Sequence, residues 1–226
     1  MNTLSKDAKL RVYSIFSSIN GEVCKMHQGS MCTFLRLAGC SANCSFCDTK
    51  YASNPESGKS YSLPDLVKEL NKMGNMNVTI TGGEPMEQKE SLIPLVNWMS
   101  LIGYKISIET NGLIPFSRFE FSSTGWLSFV VDIKMEKVHQ ICDYLKMGLT
   151  SNDFLKVVVG NKRDFRMSLY MTDCLRQHGC MAKVAYSPMY GQVTANELVE
   201  WMKEYNQVDA ILSVQLHKVL NLGEAK

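Results

Sequence analysis

The chain has 226 residues, 45% hydrophobic and 20% charged, the balance of an ordinary globular protein able to bury one core. Its 24 Lys and Arg against 22 Asp and Glu leave a net charge of +2, without the basic run that a phosphate-contacting nucleic-acid binder needs. No apolar stretch approaches the roughly 20 residues of a membrane span, and MNTLSKDAKLRVYSIF lacks the features of a secretory signal. The expectation is a cytoplasmic protein with neither nucleic acid nor membrane as partner.

No repeat, low-complexity tract or linker interrupts the chain, so residues 1–226 read as one domain. TFLRLAG (33–39) is the first expected strand. A helix follows from an N-cap at Ser62, with Pro64 in its first turn, Leu63, Leu66, Val67, Leu70 and Met73 at helical spacing, and Gly74 as its stop. NVTITGGEP is a short β-rich run ending in glycines, and residues 88–102 read as a helix stopped by Gly103. Strands are expected at 105–110, 127–134, 154–160, 181–187 and 210–216, with helices at 136–147, 163–178 and near 194–206. Strands alternating with helices imply a mostly parallel sheet, and six to seven strands suit an incomplete (β/α) barrel. The chemically suggestive residues gather at strand C-terminal ends, the face where parallel α/β folds place their sites.

Of eight cysteines, Cys40, Cys44 and Cys47 cluster in AGCSANCSFCDT; Cys24, Cys32, Cys142, Cys174 and Cys180 read as small buried hydrophobes. Three thiolates on so short a loop can converge on one metal centre, and soft thiolates suit iron–sulfur clusters and zinc alike. Zinc would need a fourth ligand such as His27 or Cys32, and no paired knuckle is present. Phe46, just before the last cysteine, favours the cluster.

C-x3-C-x-aromatic-C after a first strand, followed one βα unit later by Thr81-Gly82-Gly83-Glu84-Pro85, resembles the radical S-adenosylmethionine (SAM) superfamily. In order, SSINGEV, TFLRLAGC, CDT, TITGGEPMEQ, IETNG, DIK, LKVVV, SPMYG and QLHKVLNL resemble the 7-carboxy-7-deazaguanine synthases over nearly the whole chain. That resemblance implies SAM-dependent ring contraction of 6-carboxy-5,6,7,8-tetrahydropterin with loss of ammonia. It further implies a homodimer and an electron donor such as flavodoxin.

Residue by residue, the resemblance implies Cys40, Cys44 and Cys47 as ligands of a 4Fe–4S cluster with one open iron, and Thr49 as an oxygen ligand of Mg²⁺. SAM contacts carried over are Gly83, Glu109, Asp132, Ile133, Lys134, Ser187, Pro188, Met189 and Tyr190. Substrate contacts carried over are Ile19, Asn20, Gly21, Glu22, Arg36, Thr81 and His217. Plainer readings stand beside several of these. An Asp-Thr pair often caps its own turn, Arg36 in an apolar strand invites a structural ion pair, for which Glu22 is a candidate, and Glu109 and Asp132 would serve merely to close surface strands. A guanidinium fork nevertheless matches a carboxylate better than an ammonium does.

The chain departs from the family pattern at I-N-G-E-V (19–23), where Asn20 offers a shorter amide and Val23 replaces a glycine, and at Ser187 and Tyr190. It also continues past Leu222 as Gly-Glu-Ala-Lys, where some relatives end on a substrate-binding carboxylate. Two other readings compete: a glycyl-radical enzyme activase, and a non-catalytic iron–sulfur or zinc module. Arg36, Cys47-Asp48-Thr49 and QLHK argue against the first; GGEP, IETNG and DIK at successive strand ends argue against the second.

Overall fold

Two patterns build the fold: apolar residues alternating along strands, and apolar stripes on helices whose ends are capped. A computed structural model describes residues 4–44, 47–121, 125–134 and 141–222. Phe46, the first part of the helix expected at 136–147 and the Gly-Glu-Ala-Lys tail lie outside the described residues. The strands are β1 (Lys9–Ile19), β2 (Met31–Leu37), β3 (Lys59–Ser62), β4 (Asn77–Gly82), β5 (Lys105–Thr110), β6 (Leu127–Ile133), β7 (Phe154–Val159), β8 (Lys183–Pro188) and β9 (Ile211–Leu212). The helices are α1 (Leu63–Lys72), α2 (Lys89–Leu101), α3 (Ile141–Lys146), α4 (Lys162–Gln177), α5 (Ala195–Glu204) and α6 (Leu216–Val219).

One nine-stranded sheet results, in the order β3-β1-β2-β4-β5-β6-β7-β8-β9. From β2 through β9 every neighbouring pair is parallel, the strand succession of an incomplete (β/α) barrel. β1 and β3 add an antiparallel margin that the sequence reading did not expect. The middle of β1 is half-buried throughout and carries a register irregularity between Val12 and Ser14, so it lacks clean alternation. The strand expected at 210–216 is also corrected: only Ile211–Leu212 pairs, and Leu216 opens α6. There the chain leaves the sheet because Ser213 Oγ accepts from Val23 N at 3.0 Å and Leu216 N donates to Gly21 O at 2.9 Å.

Local chemistry explains the helix ends. Ser62 Oγ accepts from Asp65 N, Asn161 from Asp164 N, and Thr194 and Glu197 form a capping box; each such cap contributes about 1 kcal/mol. Gly74 and Gly103 follow their helices at φ +68° and +96°, as left-handed stops. Leu66, Leu70, Leu92, Leu95, Met99, Phe165, Met171, Leu175 and Leu198 cover the outer face of the sheet, meeting Leu35, Leu37, Ile80, Ile106, Ile108, Phe129, Val131, Val157 and Tyr186. Cys24 and Cys32 are buried as expected, with burial pushing their thiols up to about 12 and about 11. Cys142 corrects the expectation, since it is exposed, and Cys174 and Cys180 are only half-buried.

At the end of the sheet opposite the strand C-termini, Asp153 is fully buried. Its carboxylate accepts from Arg118 Nε at 2.7 Å, Phe129 N at 2.9 Å, and Thr150 N and Oγ1 at 2.7 and 2.9 Å. Removing one partner of such a pair strands the other charge. Asp153→Ala should therefore cost about 3–5 kcal/mol of folding stability in denaturant titration.

Candidate active site

Register sorts the inner face of the sheet. Arg36 pairs with Thr81, Glu109 with Val130, Asp132 with Lys156, and Val158 with Ser187, so these side chains share one side of the sheet. This face carries charge and hydroxyls, with apolar side chains at Phe16, Phe34 and Val158 and a small apolar group of Val23, Val130, Phe154 and Ala185.

At the strand C-termini, two loops are locked together. Gly83 N donates to Leu37 O at 2.8 Å and Glu84 N to Gly39 O at 2.7 Å, one residue before Cys40. A Cβ on Gly83 would lie 1.9 Å from Gly39 O, so this backbone approach requires glycine. Gly82 sits at φ +124°, also against Leu37 backbone. Buried Glu84 ties in the next strand end, accepting from Thr110 Oγ1 at 2.6 Å, Asn111 N at 2.7 Å and Met86 N at 2.9 Å. Burial raises its carboxyl to about 7 despite these donors. Asn111 in turn directs Nδ2 at Cys40 Sγ, 3.8 Å away. Thr49 does not cap its own turn; its hydroxyl donates to Gly82 O at 3.3 Å and stands 3.6 Å from Cys47 Sγ.

A charge network occupies the inner face beyond Thr81. Lys156 Nζ forms an ion pair with Glu22 and stands 3.1 Å from Asp132 Oδ1, while Lys134 Nζ holds Asp132 Oδ2 at 2.9 Å. Burial favours a neutral Asp132, but Lys156 and Lys134 outweigh it and hold the carboxyl below the usual range. Glu109 goes the other way: burial, with Glu22 beside it, raises its carboxyl against the pull of Lys156 and a bond from Thr81, and Asp132 adds to the rise. Neither acid merely closes a surface strand. Arg36 has no ion pair among the described residues, so Glu22 is not its partner; its guanidinium lies 5.6 Å from both the Phe16 and Tyr51 ring centroids, and its buried Nε has no hydrogen-bond partner there.

The segment after β1 closes one side. Ile19 ends β1 half-buried, and the Asn20 amide is committed internally, accepting from Thr79 Oγ1 at 2.5 Å and donating to Ser30 Oγ at 2.9 Å. The shorter amide of Asn20 is thus a strut. A Cβ on Gly21 would stand 2.6 Å from His217 Nδ1, so glycine there lets the imidazole lie on the backbone. Glu22 Oε1 accepts from Gln215 Nε2 at 2.7 Å. His217 Nε2 lies 3.8 Å and Lys218 Nζ 3.0 Å from Asp48 Oδ2, and these two neighbours hold the Asp48 carboxyl well below the usual range. Lys218 also lies 5.8 Å from the centroid of exposed Tyr190. α6 thus straps the cluster loop to the β1–β2 loop and the segment after β8.

The remaining expected SAM contacts divide. Ser187 is buried with an unpartnered hydroxyl among the described residues, while Pro188 and Met189 continue half-buried from β8. The Ile133 side chain belongs to the outer core, leaving only its backbone toward the site. Among the described residues no three His, Cys, Asp or Glu side chains converge in metal-holding geometry. Cys40, Cys44 and Cys47 are nevertheless free, half-buried thiols on one short loop, a donor set suited to an iron–sulfur cluster, and a metal itself draws such ligands together. The unpartnered Ser187 Oγ and Arg36 Nε fit a polar organic ligand against the same face. Sequence reasoning missed Lys156, although a lysine inside FLKVVV is the same signal that singled out Arg36. It also passed over Asp48, Asn111 and Gln215, whose contacts arise only from the fold.

Fold and site together define a partial (β/α) barrel with a three-cysteine loop and a charged inner face at its open strand ends. The 4Fe-4S single cluster domain family matches residues 20–141. The 7-carboxy-7-deazaguanine synthase of Clostridium acetobutylicum is 31% identical over 93% of this chain and 95% of its own length. That of Methanospirillum hungatei is 29% identical over 96% and 88%. The crystal structure of QueE from Escherichia coli shares the fold, with a TM-score of 0.70 at 22% identity over 92% of this chain and 94% of that one. This chain belongs to the 7-carboxy-7-deazaguanine synthase family.

Two outcomes follow from the geometry. Gly83→Ala should sharply reduce iron and sulfide bound per chain after anaerobic reconstitution, because its Cβ displaces the Gly39 carbonyl. Glu109 is an acid raised on folding, so the stability its neutral form gives is lost as pH rises through the raised value. Glu109→Gln should stabilise the cluster-free chain against denaturant, by an amount growing from about pH 5 to about pH 8.

Proposed function

We propose that this chain converts 6-carboxy-5,6,7,8-tetrahydropterin to 7-carboxy-7-deazaguanine in a radical SAM reaction releasing ammonia, with residues 1–226 acting as one domain. Support comes from the family membership and, on the structural side, from one observation: a half-buried guanidinium without a carboxylate among the described residues, aligned with Thr81 beside the cluster loop.

Cys40, Cys44 and Cys47 would hold the 4Fe–4S cluster. Gly83, Glu109, Asp132, the Ile133 backbone, Lys134, Ser187, Pro188, Met189 and Tyr190 would hold SAM. When bound and reduced, that pair supplies a 5′-deoxyadenosyl radical able to take a hydrogen atom from the pterin. The chain's own residues bind and orient. Arg36 offers its fork to the substrate carboxylate, and the Phe16 and Tyr51 rings hold the guanidinium plane. Glu22 accepts from pterin N–H groups, while Ile19, Asn20 and Gly21 fix the path of that loop. Thr81 completes the inner wall. Thr49 offers a neutral oxygen to Mg²⁺, a hard cation that often bridges protein to substrate. His217, seated on Gly21 and facing Asp48, covers the substrate and excludes water. We further infer a cytoplasmic homodimer served by a reduced donor such as flavodoxin. Among the described residues no helix is long and apolar enough to cross a membrane.

Anaerobic reconstitution with iron and sulfide, then SAM, reductant, Mg²⁺ and the carboxypterin, should yield carboxydeazaguanine by mass spectrometry. Deoxyadenosine without deazaguanine would contradict the substrate assignment, and a colourless zinc protein would contradict the chemistry. Arg36→Met should lower kcat/KM by about 30-fold or more, the effect of removing about 2 kcal/mol of charged hydrogen bonding. Arg36→Lys should recover little, since an ammonium lacks the fork.

A further inference from the structure

Lys156 sits where two halves of the site meet. Its strand neighbour in register is Asp132, so a purely structural lysine would be satisfied by that cross-strand pair. Instead its ammonium also pairs with Glu22, from the loop that follows β1. Side-chain exposures of 9% for Lys156, 11% for Glu22 and 20% for Asp132 leave little water to screen these charges. A disturbance at either carboxylate is therefore felt at the other through one ammonium.

The loads on the two carboxylates differ. Asp132 is also held by Lys134, within the stretch assigned to SAM. Glu22 is also held by Gln215, two residues before His217, within the stretch assigned to the pterin. Among the described residues, three carboxylates (Glu22, Glu109, Asp132) face two ammoniums (Lys134, Lys156), a balance that favours a proton or a cationic ligand. A cationic ligand reaching Asp132 loosens its hold on Lys156, and the ammonium then bears more fully on Glu22. Glu22, which Gln215 and Lys156 already hold, is then held more tightly, which lowers the ordering cost the second ligand meets.

Resting on the functional reading above, we propose that Lys156 is a positioning residue that couples SAM binding to pterin binding through Asp132 and Glu22. The test uses the anaerobically reconstituted, unreduced protein, in which both ligands bind without turnover. The dissociation constant of 6-carboxy-5,6,7,8-tetrahydropterin is measured with and without saturating SAM. Wild type should bind the pterin at least about fivefold more tightly with SAM present, the lower end of coupling between linked sites. In Lys156→Met that ratio should fall to near one, whereas Lys156→Arg should keep most of it. Lys156→Gln serves the same purpose should the Met variant not fold, and thermal unfolding identifies folded variants. A merely structural lysine would weaken both ligands or the fold without changing the ratio. A folded neutral variant that keeps the wild-type ratio, or a wild type that binds both ligands independently, overturns the proposal. A wild type that binds SAM but no pterin overturns the functional reading, and the proposal with it.

Discussion

The open end of the barrel depends on a pair of backbone hydrogen bonds, Gly83 N to Leu37 O and Glu84 N to Gly39 O. They extend the β2–β4 pairing past the last regular register position, into the loops that carry the chemistry. A loop bearing three thiols has no reason of its own to lie beside a Gly-Gly-Glu-Pro turn. The missing Cβ of Gly83 permits that approach. Glu84 then carries the lock on to Thr110 and Asn111, so three successive strand ends are tied together, and the Asn111 amide is aimed at Cys40. Hydrogen bonds to cluster sulfurs are one determinant of reduction potential.

A second constraint follows from the two-faced sheet. The outer face is an ordinary apolar core under helices, and it provides the stability. The inner face places Arg36, Glu109, Asp132 and Lys156 in poorly hydrated surroundings, where an unpaired charge is costly. Asp132, Lys134, Lys156 and Glu22 meet that cost among themselves. Among the described residues, Arg36 Nε and the Ser187 hydroxyl do not, as is also true of the Ser14 and Ser107 hydroxyls on the same face. The Asp153–Arg118 staple secures the opposite end of the sheet, away from the chemistry.

Much of the parallel run was legible in the sequence, because α1, α4 and α5 carry clean stripes and explicit caps, and β4 to β8 are short apolar runs bounded by turns. β1 was not, since beyond Val12 its residues are mostly half-buried on both faces and give no period. The end of the chain misled for a related reason. AILSVQL is apolar enough for a strand, yet Ser213 and Leu216 spend their hydrogen bonds on Val23 and Gly21, partners some 190 residues away that no local pattern reveals. Among site residues, Arg36 could be singled out because a charge inside an apolar strand is unusual, whereas the roles of Thr49 and Glu109 rested on the resemblance. Asn20 was assigned to a ligand, but its amide proved internal. Lys156 was visible and overlooked, as its role depends on Glu22 folding back across β7.

The proposed function requires the cluster loop, the glycine cradle and the charged inner face to form one chamber that takes SAM and the pterin side by side. A crystal structure of the anaerobically reconstituted protein with SAM, Mg²⁺ and 6-carboxy-5,6,7,8-tetrahydropterin tests it most directly. The expected result is SAM between Gly83 and Ser187, the pterin carboxylate on the Arg36 fork, and a pterin N–H group on Glu22. Either ligand bound on the helical side of the sheet, or Arg36 left without an anion in the loaded site, would contradict it.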